Sequence, residues 1–111
     1  MGYHSELVIE FEKLRKEEFL EQLLIVNPSW HETFTNAEHT DETDTCILYH
    51  WECIKAYEVD HVFELLEKLK IPYYSIRLGD EDNDNEVRGD YNMDTFGVGW
   101  YRSIQWEGQD H

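Results

Sequence analysis

The chain has 111 residues, with 25 acids against nine bases for a formal net charge of −16, and it is 41% hydrophobic and 14% aromatic. That length fits one domain spanning residues 1–111, able to bury roughly two-thirds of its unfolded surface, and the apolar content argues for a packed core rather than a disordered acidic tail. The negative potential disfavours direct binding to DNA, RNA or an anionic membrane, and no apolar run approaches the roughly 18 residues that span a bilayer.

In chain order, "SELVIEF" alternates and predicts a half-buried strand, with Leu7, Ile9 and Phe11 on one face and Glu6 and Glu10 on the other. The opening "MGYHSELVIEFEKLRK" has no basic region followed by an apolar stretch, so an intracellular, cytoplasmic chain is expected. "KEEFLEQLLIV" follows as a helix, with Phe19, Leu20, Leu23 and Leu24 at helical spacing and acids in its first turn. Asn27-Pro28 ends it. "HETFTNAEH" is strand-like in its Thr and Phe, though weakly so. "TDTCILYHWECI" is a stronger strand, pointing Ile47, Tyr49 and Trp51 one way and Leu48, His50 and Glu52 the other.

"EVDHVFELLEKLK" gives the clearest helix, with a stripe of Val59, Val62, Phe63, Leu66 and Leu69, Glu58 and Asp60 at its start, and Lys68 and Lys70 at its end. Pro72 closes it. "YYSIRL" is a strand, the acidic run after it a loop, and "FGVGWYRSIQWE" offers a last strand. The order predicts an α+β, ferredoxin-like β-α-β-β-α-β sandwich with an additional C-terminal strand, an antiparallel sheet ordered 4-1-3-2 with two helices on one face. Its expected core sets Phe19, Leu23, Val62, Phe63, Leu66 and Leu69 against Leu7, Ile9, Phe11 and Ile76. Cys46 and Cys53, on opposite faces of one strand and about 23 Å apart at ~3.3 Å per residue, are expected to remain reduced.

Charge is distributed unevenly. Residues 31–52 carry six acids and no Lys or Arg, residues 53–77 balance at four and four, and residues 78–111 carry nine acids against two bases. One acidic block, Glu38, Asp41, Glu42 and Asp44, falls between the second and third predicted strands. The other, in "RLGDEDNDNEVRGDYNMD", sets Asp80, Glu81, Asp82, Asp84, Glu86, Asp90 and Asp94 against Arg88.

Several chemistries are disfavoured by spacing. Asp80-x-Asp82-x-Asp84 resembles the opening of a calcium loop, but the Gly and Glu required at the sixth and twelfth positions are Asn85 and Tyr91 here. Six histidines and two cysteines form no C-x-x-C or H-x-x-x-H pair, so no zinc site is supported. There is no G-x-S-x-G, P-loop or dinucleotide fingerprint, and exposed acids on a loop provide no pocket to shift a catalytic carboxylate. The expectation is a protein with no enzymatic activity, no metal and no cofactor. Tyr73, Tyr74, Tyr91, Trp100 and Tyr101 flank the acidic run, and carboxylates rimmed by tyrosine and tryptophan make a protein-binding surface.

The segments "MGYHSELVIEF", "HWECIKAY", "YSIRLGDEDNDNE" and "RSI" resemble a group of small acidic bacteriophage proteins that carry no established activity. Met1, Gly2, Tyr3, Ser5 and Glu6 match the start of that pattern, Trp51, Lys55 and Tyr57 its centre, and Ile76, Arg77, Gly79, Asp80 and Glu81 its acidic run. His4 stands where those proteins more often have Arg. The resemblance implies phage origin and a host-cell cytoplasmic location.

In class, such a chain is also similar to phage DNA mimics, which inhibit host nucleases, restriction or CRISPR complexes, topoisomerases or polymerases by occupying a basic nucleic-acid channel. That likeness implies a host DNA- or RNA-binding partner. Its contacts would be the two acidic blocks with Tyr91 and Trp100. DNA presents one negative charge per ~1.7 Å of axis, and an array of carboxylates can engage the same Lys and Arg. The alternative is a protein-binding adaptor or inhibitor that uses an aromatic surface. A divalent-cation-binding protein or small enzyme ranks below both. A homodimer, and the union of both acidic blocks in one surface, are left open by the sequence.

Overall fold

A computed structural model describes residues 5–55, 57–78 and 86–89. Its elements are β1 (Ser5–Glu12), a 3-10 turn (Lys13–Arg15), α1 (Lys16–Val26), α2 (Pro28–Thr35), β2 (His39–Glu42), β3 (Cys46–Ile54), α3 (Val59–Lys68), β4 (Tyr73–Leu78) and β5 (Glu86–Gly89). The strands form a five-stranded antiparallel sheet in the order β2-β3-β1-β4-β5, so the class is α+β. β1 is central, with Ile9 opposite Tyr49 on one side and Ser75 on the other.

The helix α2 replaces the weak strand expected over "HETFTNAEH". Asn27 has a non-helical backbone at φ −153° and ψ 86°, and its Oδ1 accepts from the Trp30 N–H at 3.2 Å. Pro28 then fills the first helical position, where its missing N–H leaves nothing unpaired. The same dipeptide that ends α1 therefore starts a second helix, and the second strand shifts to His39–Glu42. Phe34 is the consequence of greatest energetic weight. Its ring centroid lies 4.8 Å from Tyr49, 5.2 Å from Trp51, 5.4 Å from Phe19 and 6.1 Å from Trp30. Edge-to-face packing of this kind adds to the burial of each ring.

Alternation in the strands decides which side chains join this cluster. Leu7, Ile9 and Phe11 of β1, Ile47, Tyr49 and Trp51 of β3, and Tyr73 of β4 pack with Phe19, Leu23, Trp30, Phe34, Val59, Val62, Phe63, Leu65 and Leu66 from the helices. α3 contributes the stripe read from its sequence, plus Leu65, with Leu69 partly buried. It ends in paired reverse bonds, Ile71 N–H to the Leu66 carbonyl at 2.9 Å and Lys70 N–H to Glu67 at 3.1 Å, with Lys70 at φ 58° in the conformation glycine usually supplies.

Three expectations about the core are corrected. Ile76 is buried, but it alternates with Tyr73 and Ser75 and lies outside the helix-packed cluster, on the face shared with Val8 and Glu10. Glu10, expected toward solvent, is fully buried beside Leu48 and Tyr74, because the sheet is buried on both faces at its centre. Leu24, expected in the α1 stripe, is half-exposed, while Phe19 and Leu23 are buried. Cys46 is buried, Cys53 exposed, and both are free thiols. Burial pushes the Cys46 thiol pKa up. No described helix is long and apolar enough to cross a membrane.

Candidate partner-binding surface

The first acidic block occupies one edge of the sheet. Among the described residues β2 pairs with β3 alone, from His39 opposite His50 to Glu42 opposite Ile47. Each of its four residues is exposed. The connection to β3 is a tight turn held by Thr43. Its N–H donates to the Cys46 carbonyl at 2.9 Å, and its Oγ1 accepts from Thr45 N–H at 3.3 Å and Cys46 N–H at 3.0 Å. Asp44 sits at the tip of that turn, exposed.

Glu38, Asp41, Glu42 and Asp44 are therefore brought together along β2 and its turn. Asp41 and Glu42 belong to the strand itself, where a connecting loop was expected. Strand alternation sends Asp41 to the face of Leu48 and His50 and Glu42 to the face of Ile47 and Tyr49, so the edge presents a carboxylate on each side of the sheet. Glu38 accepts from the Glu52 backbone N–H, and Asp41 Oδ1 from Glu42 N–H at 2.9 Å. Glu42 is paired with Lys13 at 3.1 Å. Both partners are exposed, so this pair contributes little to stability.

The second acidic block is described only in part. Asp80, Glu81, Asp82, Asp84, Asp90, Tyr91, Asp94 and Trp100 lie outside the described residues, as does the strand expected over "FGVGWYRSIQWE". Glu86 lies in β5, so the run read as a continuous loop contains a strand. β4 and β5 stand at the sheet edge opposite β2. Leu78 pairs with Glu6 near the start of β1, whereas the β2–β3 turn lies beside its end, where Cys46 pairs with Glu12. The β2–β3 turn with Asp44 is thus diagonal to the described strand ends of the second block, whereas Glu38, bonded at Glu52, lies at the same end of the sheet as they do, on the opposite outer strand.

Arg88, the one base within the second block, is directed toward α3. It pairs with Asp60 at 3.2 Å and Glu67 at 3.9 Å, and its guanidinium lies 4.5 Å from the centre of the Phe63 ring. Tyr73 donates to Glu67 at 2.7 Å. Burial, and then this bond to a carboxylate, push the Tyr73 phenol up to about 12. Of the expected aromatic rim, Tyr73 and Tyr74 are corrected to buried positions, while Tyr91, Trp100 and Tyr101 lie outside the described residues.

A histidine pair beside the acidic edge was not foreseen. The rings of His39 and His50 stack at 5.2 Å, each with its Nε2 at a carboxylate, 2.9 Å from Glu52 and 2.7 Å from Glu6 respectively. With Thr40, Asp41 and Leu48 they line an open pocket of about 400 Å³. The sequence carried the signal only through strand register, since His39 and His50 are directly opposite. Among the described residues, no group of three His, Cys, Asp or Glu side chains is arranged to hold a metal ion.

Comparison with known proteins adds no name to this geometry. No family model, curated protein or solved structure matches the chain. The reading therefore rests on the residues and their arrangement.

Proposed function

We propose that this protein is a phage-encoded inhibitor of a host nucleic-acid-binding system, which it blocks by presenting carboxylates where DNA would present phosphates. The observation that carries the proposal is the exposed β2 edge, with Glu38 just before the strand, Asp41 and Glu42 on it and Asp44 in the turn after it. In this reading the partner is a host DNA- or RNA-binding protein with a basic channel, met in the cytoplasm, and the protein acts by binding, without catalysis. The scaffold is taken as a ferredoxin-like sandwich with its helices on one face and β5 added beyond β4. The helix-packed side chains at alternate positions of β1 and β3 support that assignment. The places of the two acidic blocks on opposite outer strands of the described sheet, with three strands between them, favour two contact regions over one continuous array.

The test is capture of a partner from host lysate at rising salt, followed by competition with duplex DNA. Two neutralised variants separate the regions: Glu38→Gln, Asp41→Asn, Glu42→Gln, Asp44→Asn for the β2 edge, and Asp80→Asn, Asp82→Asn, Asp84→Asn, Glu86→Gln for the second block. Each should weaken binding and flatten its salt dependence, because fewer basic groups are engaged. Simultaneous binding of DNA and this protein to the partner would sink the proposal.

A further inference from the structure

α1 ends in Leu24, Ile25 and Val26, which are 50%, 75% and 50% exposed. Leu23 faces the core, so at ~100° per residue Ile25 lies on the far side of α1, with Leu24 and Val26 flanking it. The earlier exposed positions are Glu17, Glu18, Glu21 and Gln22, so the helix surface changes from polar to aliphatic in its last turn. Val26 also forms one wall of a pocket of about 320 Å³, whose other walls are His61, Glu64, Leu65 and Lys68 of α3. That spacing is one stripe of a helix. Leu65, 4% exposed, is its floor. An aliphatic patch continuous with an open pocket marks a binding surface.

Charge selects the occupant. Glu21 stands one turn before Ile25, Glu64 lines the pocket, and Glu58 is bonded at 3.3 Å to Asn27, the neighbour of Val26. Lys68 is the base among the pocket walls. A second copy of the chain would bring the same acids and a net −16 to this rim, which opposes self-association. We infer that the α1–α3 pocket docks a cationic amphipathic helix of another protein. An apolar side chain would sit against Val26 and Leu65, with Lys or Arg beside Glu21, Glu58 and Glu64. The residues involved are on α1, on α3 and at the start of α3, and share none with the β2 edge, so this inference stands independently of the mimicry proposal.

The probe is a labelled helical peptide of Leu and Lys in amphipathic order, titrated with the full chain at physiological salt and read by fluorescence anisotropy. Its control has the same composition scrambled to remove the apolar face. The amphipathic peptide should bind at least about tenfold more tightly, and Ile25→Lys with Val26→Lys should remove at least about that factor. These positions are exposed, and circular dichroism checks that the variant folds. Asp41→Asn with Asp44→Asn should leave the affinity within about twofold, given only long-range screening at that salt. Equal binding of the scrambled peptide, an equal loss in the β2-edge variant, or concentration-dependent dimers that exclude the peptide would each overturn the inference.

Discussion

The side-chain amide of Asn27 donates to Glu58 Oε1 at 3.3 Å, tying the junction of α1 and α2 to the start of α3. The same nitrogen is 3.2 Å from His61 Nδ1, and Oδ1 caps Trp30. Trp30 in turn donates from its indole to the Tyr57 carbonyl at 2.7 Å. Asn27 is 6% exposed, whereas Glu58 and His61 lie on the exposed side of the tie. Asn27→Ala should cost about 0.5–2 kcal/mol by removing the cap and the side-chain tie to α3. Asn27→Ser, which keeps the cap acceptor but cannot reach α3, should fall between wild type and Ala in urea denaturation. Equal stability of Ala and wild type would mean that the three helices are held by apolar packing alone.

Phe34 and Leu24 show where the sequence could and could not be read. Helix α3 was legible because its stripe is long and its end charges are conventional, acids at the start and lysines at the end, although Glu58 and Lys70 at its two ends have positive φ. α2 was hidden. Thr and Phe favour strands locally, and only the tertiary demand for Phe34 at the centre of five other aromatic rings, with Asn27-Pro28 as an initiator, makes the segment helical. Leu24 misled in the opposite sense, since apolar residues at the end of α1 matched the period and yet half-face solvent. Phe34→Ala should therefore cost about 3–5 kcal/mol, while Leu24→Ala should stay within roughly 1 kcal/mol. Chemical denaturation of the two variants measures the contrast directly, and a reversal would put α2 outside the core.

Alkaline stability follows from two phenols. Tyr49 and Tyr73 are both pushed up to about 12, Tyr49 by burial and then the nearby Glu42 carboxylate, Tyr73 by burial and its bond to Glu67. A folded pKa above the unfolded value near 10 means the folded chain holds these protons more tightly. The resulting stability is complete below pH ~10 and is lost as pH rises toward about 12. Tyrosinate absorbance should show late-titrating phenols whose ionisation coincides with unfolding. Tyr73→Phe should remove one of them and make stability fall less steeply in that window. Ionisation of every tyrosine near pH 10 in a chain that remains folded would contradict the burial of both.

The candidate surface was legible in part for a simple reason. Charge density is a property of composition, so the block at residues 38–44 could be found without a structure. Its geometry could not, because the boundary of β2 depends on where α2 ends. Buried Glu10 and the stacked His39–His50 pair were equally hidden, since strand alternation assigns a residue to a face without saying whether that face is covered. Tyr73 and Tyr74 failed the other way. Proximity in sequence to the acids suggested a rim, but β4 lies between β1 and β5 and draws both rings inside.

The acidic edge should also carry a cost in stability that is measurable without any partner. Asp41 and Asp44 are exposed, and neither has an ion pair among the described residues. They stand near Glu42 in a chain of net charge −16. Asp41→Asn retains an oxygen to accept from the Glu42 N–H, and Asp44→Asn keeps a residue suited to the turn, so the double variant changes charge more than shape. At low ionic strength it should melt a few degrees higher, about 0.5–1 kcal/mol of relieved repulsion. Screening shortens from ~10 Å at 0.1 M salt to ~3 Å at 1 M, so the advantage should vanish at high salt. Glu42→Gln makes the contrast. It removes a charge but also the Lys13 pair at 3.1 Å, and the two effects should nearly cancel. Thermal melts of the three proteins across a salt series decide the matter. A double variant that melts lower at low salt would show that these carboxylates stabilise the edge, leaving no stability cost for a binding function to explain.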